Sequence, residues 1–209
     1  MANTVTWFFT QLPDEITDLI TKDIDKISPQ MDQARVGDQA DSVITELRNN
    51  RNSWISTAHW MGGLMWYHIE KTNRENYLYD IIGFEGETLQ YSEYREGEYY
   101  TWHVDAGLPV CYQQTPLGNG GCDQVRAHEK NLLNSELIRK LSFSLQLSSP
   151  EEYEGGQLQF LGDSGDSIFA PKEKGTVVIF DSRVKHRVRQ VTRGVRKSLV
   201  GWVLGPRWR

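Results

Sequence analysis

The apolar residues Ile16, Leu19, Ile20, Ile24 and Ile27 recur at the three- and four-residue spacing of a helix buried on one side, which predicts a helix over Pro13 to Lys26. Asp14 and Glu15 fall in its first turn, where the helix dipole favours acids. A second, longer helical region is predicted from about Ser53 to Ile82, with Gly62 and Gly63 marking a bend. After Gly83 the period changes. Short alternating or apolar runs separated by glycine predict strands at Leu89 to Tyr94, Tyr99 to Asp105, Leu141 to Ser148, Gln157 to Leu161, Thr176 to Phe180, His186 to Thr192 and Lys197 to Leu204. Helices followed by many short strands predict a mainly β chain: a two-sheet, cupin-like jelly-roll barrel with a helical layer packed on one sheet. One domain is expected over 1–209, with 1–88 as a helical N-terminal support region and 89–206 as the core. Between Ala106 and Ser135 the connection is too long for a hairpin and is either a lid or an insertion.

Composition narrows this picture only a little. Seven Trp, nine Tyr and seven Phe suit a ring-packed sheet core with a pocket. Trp7, Trp54, Trp60, Trp66 and Trp208 are read as packing residues. A formal net charge of -5 argues against generic nucleic-acid binding. The outward row Arg183, Lys185, Arg187 and Arg189 leaves contact with an anionic substrate, nucleic acid included, open against the simpler role of a solvated strand face. Cys111 and Cys122 both lie in the long connection and imply no disulfide framework, so a reducing, cytoplasmic setting is expected. No signal peptide or membrane span is expected.

The candidate chemistry sits on the predicted strands. His103 and Asp105 are two residues apart, and on a strand such residues share a face. His186 lies in an alternating run in which Val184, His186 and Val188 face inward. Two imidazoles and one carboxylate on one side of an ion leave coordination positions open, the facial arrangement of non-haem iron(II) oxygenases; zinc with the same ligands would favour a tetrahedral, hydrolytic site. Arg196 follows His186 by ten positions, with Ser198 on the same strand face and Trp202 further along it. An inward guanidinium needs an anion, and its planar fork suits a carboxylate to which Ser198 can add a hydroxyl donor. The alternatives are a protein acid or solvent. His59, His68 and His128 lie off this pattern and are read as structural or exposed.

Taken together, His103-Val104-Asp105, the distal His186, Arg196-Lys197-Ser198, the stretch Leu141 to Ser148 running through Pro150 to Tyr153-Glu154-Gly155-Gly156-Gln157-Leu158, and Gly175 to Phe180 resemble the iron(II)- and 2-oxoglutarate-dependent dioxygenases, in the prolyl 4-hydroxylase-like, PKHD-type branch. The resemblance covers roughly Leu89 to Pro206. It implies a double-stranded β-helix and a metal held by His103, Asp105 and His186. It also implies 2-oxoglutarate held by Arg196 with Ser198, and by Tyr94 unless that ring is merely packed. Fe(II), 2-oxoglutarate and O2 would be the cofactors, with L-ascorbic acid as a candidate stimulant. The implied activity is hydroxylation of an unactivated C–H bond with release of succinate and CO2, on a peptidyl substrate, with prolyl as one candidate. A free amino acid, small metabolite or nucleobase is the alternative substrate, and a non-enzymatic metal-binding jelly roll the alternative role. Asp105 stands where halogenating members carry a small residue. Some prolyl hydroxylases carry Lys where this chain has Arg196, so their substrate preference does not transfer.

Overall fold

In a computed structural model, residues 7–27, 31–33, 48–106, 137–162 and 165–208 are described. In chain order the elements are β1 (Trp7–Gln11), α1 (Asp14–Ile27), β2 (Asp32–Gln33), β3 (Arg48–Asn49), β4 (Arg51–Ser56), α2 (Trp60–Thr72) with a π-helical turn at Asn73–Tyr77, β5 (Thr88–Arg95), β6 (Tyr99–His103), β7 (Leu137–Gln146), β8 (Tyr153–Gly155), β9 (Leu158–Leu161), β10 (Ser167–Phe169), β11 (Thr176–Asp181), β12 (His186–Val188) and β13 (Val191–Pro206). The large sheet has the order β1-β11-β7-β13-β5-β4-β2, with β8 added against β13, and the small one β10-β9-β12-β6-β3. These facing sheets form the double-stranded β-helix, and the predicted fold class stands.

Alternation along the strands sorts the large sheet into two faces. Leu141, Phe143 and Leu145 of β7, Leu89 and Tyr91 of β5, and Leu199 and Val203 of β13 turn outward and share one core with Ile20 and Ile24 of α1 and Met61, Met65 and Ile69 of α2. That core is the helical layer's attachment. On the inner face, Phe180 and Val178 of β11 meet Phe160 and Leu158 of β9, which closes one side of the barrel. Tyr94, Val188, Val191 and Tyr100 close another.

The N-terminal part needs correction. Ser53 does not start a helix: Arg51–Ser56 is a strand paired with β5, and the helix begins only at Trp60. The burial pattern of Asn52, Ser53, Trp54, Ile55 and Ser56 is a strand's, and tertiary pairing with β5 decides it. Gly62 and Gly63 lie within α2 rather than interrupting it. A Cβ at Gly62 would sit 2.0 Å from the Thr57 carbonyl oxygen, so this glycine lets the helix start press against the preceding turn. Residues 1–88, read as helical, also supply β1 to β4, and β1 extends the large sheet beyond β11. The predicted strands at His186 to Thr192 and Lys197 to Leu204 are redistributed into the short β12 and the 16-residue β13. The long connection, with His128, Cys111 and Cys122, lies outside the described residues. No described helix is long and apolar enough to cross a membrane.

Of the five tryptophans read as packing residues, Trp7 stacks on Phe160 at 5.7 Å and Trp66 meets Phe84 edge-on. Trp54 is instead 56% exposed, and Trp60 is 39% exposed with its indole N–H donating to Asp23. His59 caps α2, and His68 is partly buried on it, where burial and then the nearby Lys71 lower its pKa.

Candidate metal and oxoacid site

His103 is the last residue of β6, and His186 the first of β12, and the two are cross-strand partners in the small sheet. Direct antiparallel pairing therefore joins residues far apart in sequence. Asp105 lies just past the end of β6, where its backbone N–H and that of Ala106 both donate to the Ser182 carbonyl, at 2.9 and 2.7 Å. Ligand-capable atoms of His103, Asp105 and His186 all lie within 4.8 Å of one another. The His103 Nε2 to Asp105 Oδ1 distance is 3.7 Å, and His186 Nε2 to Asp105 Oδ2 is 3.5 Å. Two ligands about 2.1 Å from one ion at right angles stand roughly 3 Å apart, so a small closure suffices.

Both imidazoles are aimed by the same device. Nδ1 of His103 lies 2.8 Å from the Thr101 carbonyl oxygen and Nδ1 of His186 lies 2.9 Å from that of Val184. A proton on each Nδ1 makes that hydrogen bond and leaves each Nε2 lone pair facing Asp105. Burial first, then the charge of His186, pushes the His103 pKa down to about 3, so the ring stays neutral and able to ligate. For Asp105 burial acts upward, but His186 and His103, then Arg139 and a Ser142 hydroxyl hydrogen bond, hold the carboxyl below its usual 3.8. The result is a neutral His103 donor beside a carboxylate.

Three residues that sequence reasoning did not single out complete the surroundings. The β6–β12 register shifts between His186 and Val188, and the Tyr100 ring stacks on His103 at 3.6 Å between centroids. Ser142 touches Asp105 and lies 2.9 Å, Oγ to Oγ, from Ser182. Arg139 pairs with Glu87 and lies 3.9 Å over the Trp202 ring. The bulges that place Tyr100 and Arg139 leave no mark in a strict two-residue alternation. Ser142 was detectable as the polar position next to an apolar one in Leu141-Ser142-Phe143-Ser144.

Arg196 is 3% exposed on the inner face of β13, with Tyr94 directly opposite on β5. Its Nη1 donates to Ser198 Oγ at 3.2 Å, and its Cζ is 5.6 Å from the centroid of the Tyr94 ring. Its Nε is buried with no partner, and among the described residues no carboxylate lies within ion-pair distance. The alternatives of a protein acid or solvent are not what the geometry offers. Gly156 has φ +63, and a Cβ there would stand 3.2 Å from Arg196 Cδ and 2.9 Å from Val191 Cγ2. The Tyr-Glu-Gly-Gly turn thus makes room for the guanidinium stem. Tyr153, from the same turn, is buried, which raises its pKa, while the charge and hydrogen bond of Arg196 act the other way. A buried guanidinium with an unsatisfied N–H is costly unless an anion completes it, which is the fit expected for an organic carboxylate.

The basic row is not uniform. Lys185 and Arg189 are exposed, but Arg183 is tied to Asp181 and Arg187 donates to Gln159 while covering Trp102 at 4.5 Å.

A jelly-roll barrel with two imidazoles, a carboxylate and an unmatched buried guanidinium inside it defines the class of metal- and oxoacid-dependent oxygenases. The model of the 2OG-Fe(II) oxygenase superfamily matches residues 89–204, and the chain belongs to that superfamily. PKHD-type hydroxylases are among its relatives. One from Parvibaculum lavamentivorans is 44% identical over 63 residues, covering 30% of this chain and 28% of that protein. Another from Rippkaea orientalis is 33% identical over 116 residues, covering 56% and 42%. The chain spans less than half the length of these two relatives. Among solved structures, a Pseudomonas putida prolyl-4-hydroxylase superimposes with TM-score 0.64 at 19% identity, covering 98% of this chain and 95% of that one. A prolyl hydroxylase from Trichoplax adhaerens, in complex with a peptide fragment of hypoxia inducible factor, gives 0.67 at 14%, covering 97% and 84%. These likenesses support the barrel fold.

Proposed function

We propose that this protein is an iron(II)- and 2-oxoglutarate-dependent hydroxylase in which His103, Asp105 and His186 ligate the metal and Arg196, aided by Ser198, grips the far carboxylate of 2-oxoglutarate. The observation that carries the reading is the buried Nε of Arg196, without a partner among the described residues, inside the same barrel as His103, Asp105 and His186. A purely structural ion would have no use for an organic-anion clamp. When bound, iron and 2-oxoglutarate would supply, with dioxygen as the oxidant, the chemistry that turns a C–H bond into C–OH, one oxygen atom going to the product and the other to succinate as CO2 is released.

The chain's own residues supply binding and orientation. The carbonyls of Thr101 and Val184 fix the tautomers of the two imidazoles, and Tyr100 limits rotation of the His103 ring. Ser142 and the Ser182 carbonyl hold the Asp105 side chain and backbone. Tyr94, packed opposite Arg196, walls the oxoacid site; among the described residues its side chain makes ring contacts with Arg196 and the Val188–Val191 cluster, so shape is the role proposed for it.

A peptidyl substrate, prolyl among the possibilities, is the reading we favour. The names of the relatives and of the peptide-bound structural neighbour support it. So does an indole N–H at Trp202 that is buried without an acceptor among the described residues, below the Arg139 guanidinium, where a peptide carbonyl could be received. An anaerobic titration with iron(II) and 2-oxoglutarate tests the core claim. The weak visible band of the chelate is expected in the wild type and lost in His186→Ala. A band that survives His186→Ala would end the assignment. Succinate release with peptide, nucleotide and amino-acid pools separates the substrate classes.

A further inference from the structure

Lys140 does not serve the barrel. β7 and β13 pair residue for residue from Ser198–Gln146 to Val203–Leu141, and then Leu204 pairs with Arg139, so β7 carries one extra residue at Lys140. A bulge of this kind re-aims a side chain. Arg139 takes a place over Trp202, whereas Lys140, 2% exposed, lines a separate cavity of about 290 Å³ with Tyr79, Asp80, Pro206, Arg207 and Trp208. Its Nζ lies 3.3 Å from the centre of the Trp208 ring, and among the described residues no hydrogen-bond acceptor or carboxylate partners it.

A ring face recovers only part of what an ammonium loses on leaving water. Burial lowers the Lys140 pKa and the charge of Arg183 adds to this, while Asp80 and Asp181 oppose them. Local charge identifies what is missing. Arg183, also over Trp208 at 4.0 Å, is already neutralised by Asp181. Among the described lining residues that leaves Lys140 and Arg207 set against Asp80, an excess of one positive charge. A singly charged anion balances it, whereas a phosphate dianion would overshoot. Trp208, Tyr79, Pro206 and Leu78 give the cavity apolar walls, which suit a ligand with a hydrocarbon stem.

We propose that this cavity binds a carboxylate carried on a short apolar stem, with the ammonium of Lys140 pairing the anion and Trp208 covering it. The site is joined to the metal centre through Ser182: its N–H donates to the Lys140 carbonyl, and its carbonyl accepts from the Asp105 N–H. The carboxylate has two possible sources, an acidic side chain of a polypeptide and a free small acid.

The test is a titration of the full chain with butyrate, at ionic strength held constant with chloride, following the Trp208 indole resonance by NMR after its assignment through Trp208→Phe. Butyrate should shift that resonance saturably, while the neutral isostere butyramide should not. Lys140→Met should weaken butyrate at least tenfold, and Lys140→Arg should restore most of the affinity. Equal responses to butyrate and butyramide, no response to either, or unchanged affinity in Lys140→Met would each overturn the proposal. The first two outcomes use the wild type and so stand even if Lys140→Met fails to fold. A peptide bearing glutamate that binds at least tenfold tighter than butyrate, and loses this with glutamine in its place, assigns the polypeptide source; equal affinities assign the free acid. Because the readout needs no iron or 2-oxoglutarate, its failure is distinct from failure of the hydroxylase reading.

Discussion

The two faces of the large sheet are built from the same strands and do opposite work. On β7, Leu141, Phe143 and Leu145 face the helices, while Ser142, Ser144 and Gln146 face the barrel. On β13, Leu199 and Val203 face the helices, while Arg196, Ser198 and Trp202 face the barrel. Residues of both faces are buried, so burial alone does not separate them. The helical face is satisfied within the chain, by apolar contact. On the barrel face, Gln90, Ser92, Asn52 and Asn50 satisfy one another through hydrogen bonds, and among the described residues the buried atoms left unpaired there are Arg196 Nε and Trp202 Nε1. The lesson is that the face which holds the fold is complete without a ligand, and the face which acts is not.

The comparison breaks most visibly at Phe143, which is fully buried between the sheet and the helices. Phe143→Ala should cost about 3–5 kcal/mol of stability, read from the denaturant midpoint, because a large cavity opens in a face with no polar substitute. Next in size is Arg196→Leu on the other face. It should weaken 2-oxoglutarate by roughly 30- to 1000-fold, corresponding to about 2–4 kcal/mol of lost charged pairing, with unfolding of the ligand-free protein little changed or shifted upward. Equal losses of stability in both variants would show that the barrel face, too, carries the fold.

The same asymmetry explains what could be read from the sequence. A period of two marked the strands from Leu89 onward, and with them the inward positions of His186, Arg196 and Ser198, since alternation is a local property. The strand at Arg51–Ser56 could not be told from a helix start, because its pattern acquires meaning only when β5 pairs with it. Tyr100 and Arg139 were missed because bulges shift the period by one residue just where each side chain turns toward the metal ligands. Trp54 was misread for another reason: it shares the face of β4 that carries Asn52, opposite to the core residue Ile55, and is left 56% exposed, which composition does not report.

A smaller effect sharpens the contrast at Ser142, which lies between Leu141 and Phe143 yet belongs to the site. Ser142→Ala should leave the denaturant midpoint almost unmoved and weaken metal binding by about 10- to 100-fold, the usual cost of removing a group that orients a ligand. Metal competition with a chelating dye measures this directly. A variant that unfolds more easily but binds metal normally would place Ser142 with its apolar neighbours instead.

The least of these effects concerns pH and the metal-free protein. In the folded chain the His103 pKa is lowered to about 3, against 6.5 for an unperturbed histidine, so below about pH 6.5 the unfolded chain takes up a proton that the folded chain refuses. The sign follows: this contribution is intact above about pH 6.5 and is lost as pH falls toward 3, at up to about 1.4 kcal/mol per pH unit. His68, whose pKa is also lowered, acts in the same direction. Denaturant melts in a chelator between pH 7 and 4.5 should therefore show falling stability, with a shallower slope in His103→Asn. Phe143→Val should lower the whole curve and keep its slope, because nothing on the helical face of β7 takes up a proton. A slope unchanged in His103→Asn would mean that the acid sensitivity of the fold does not arise at His103.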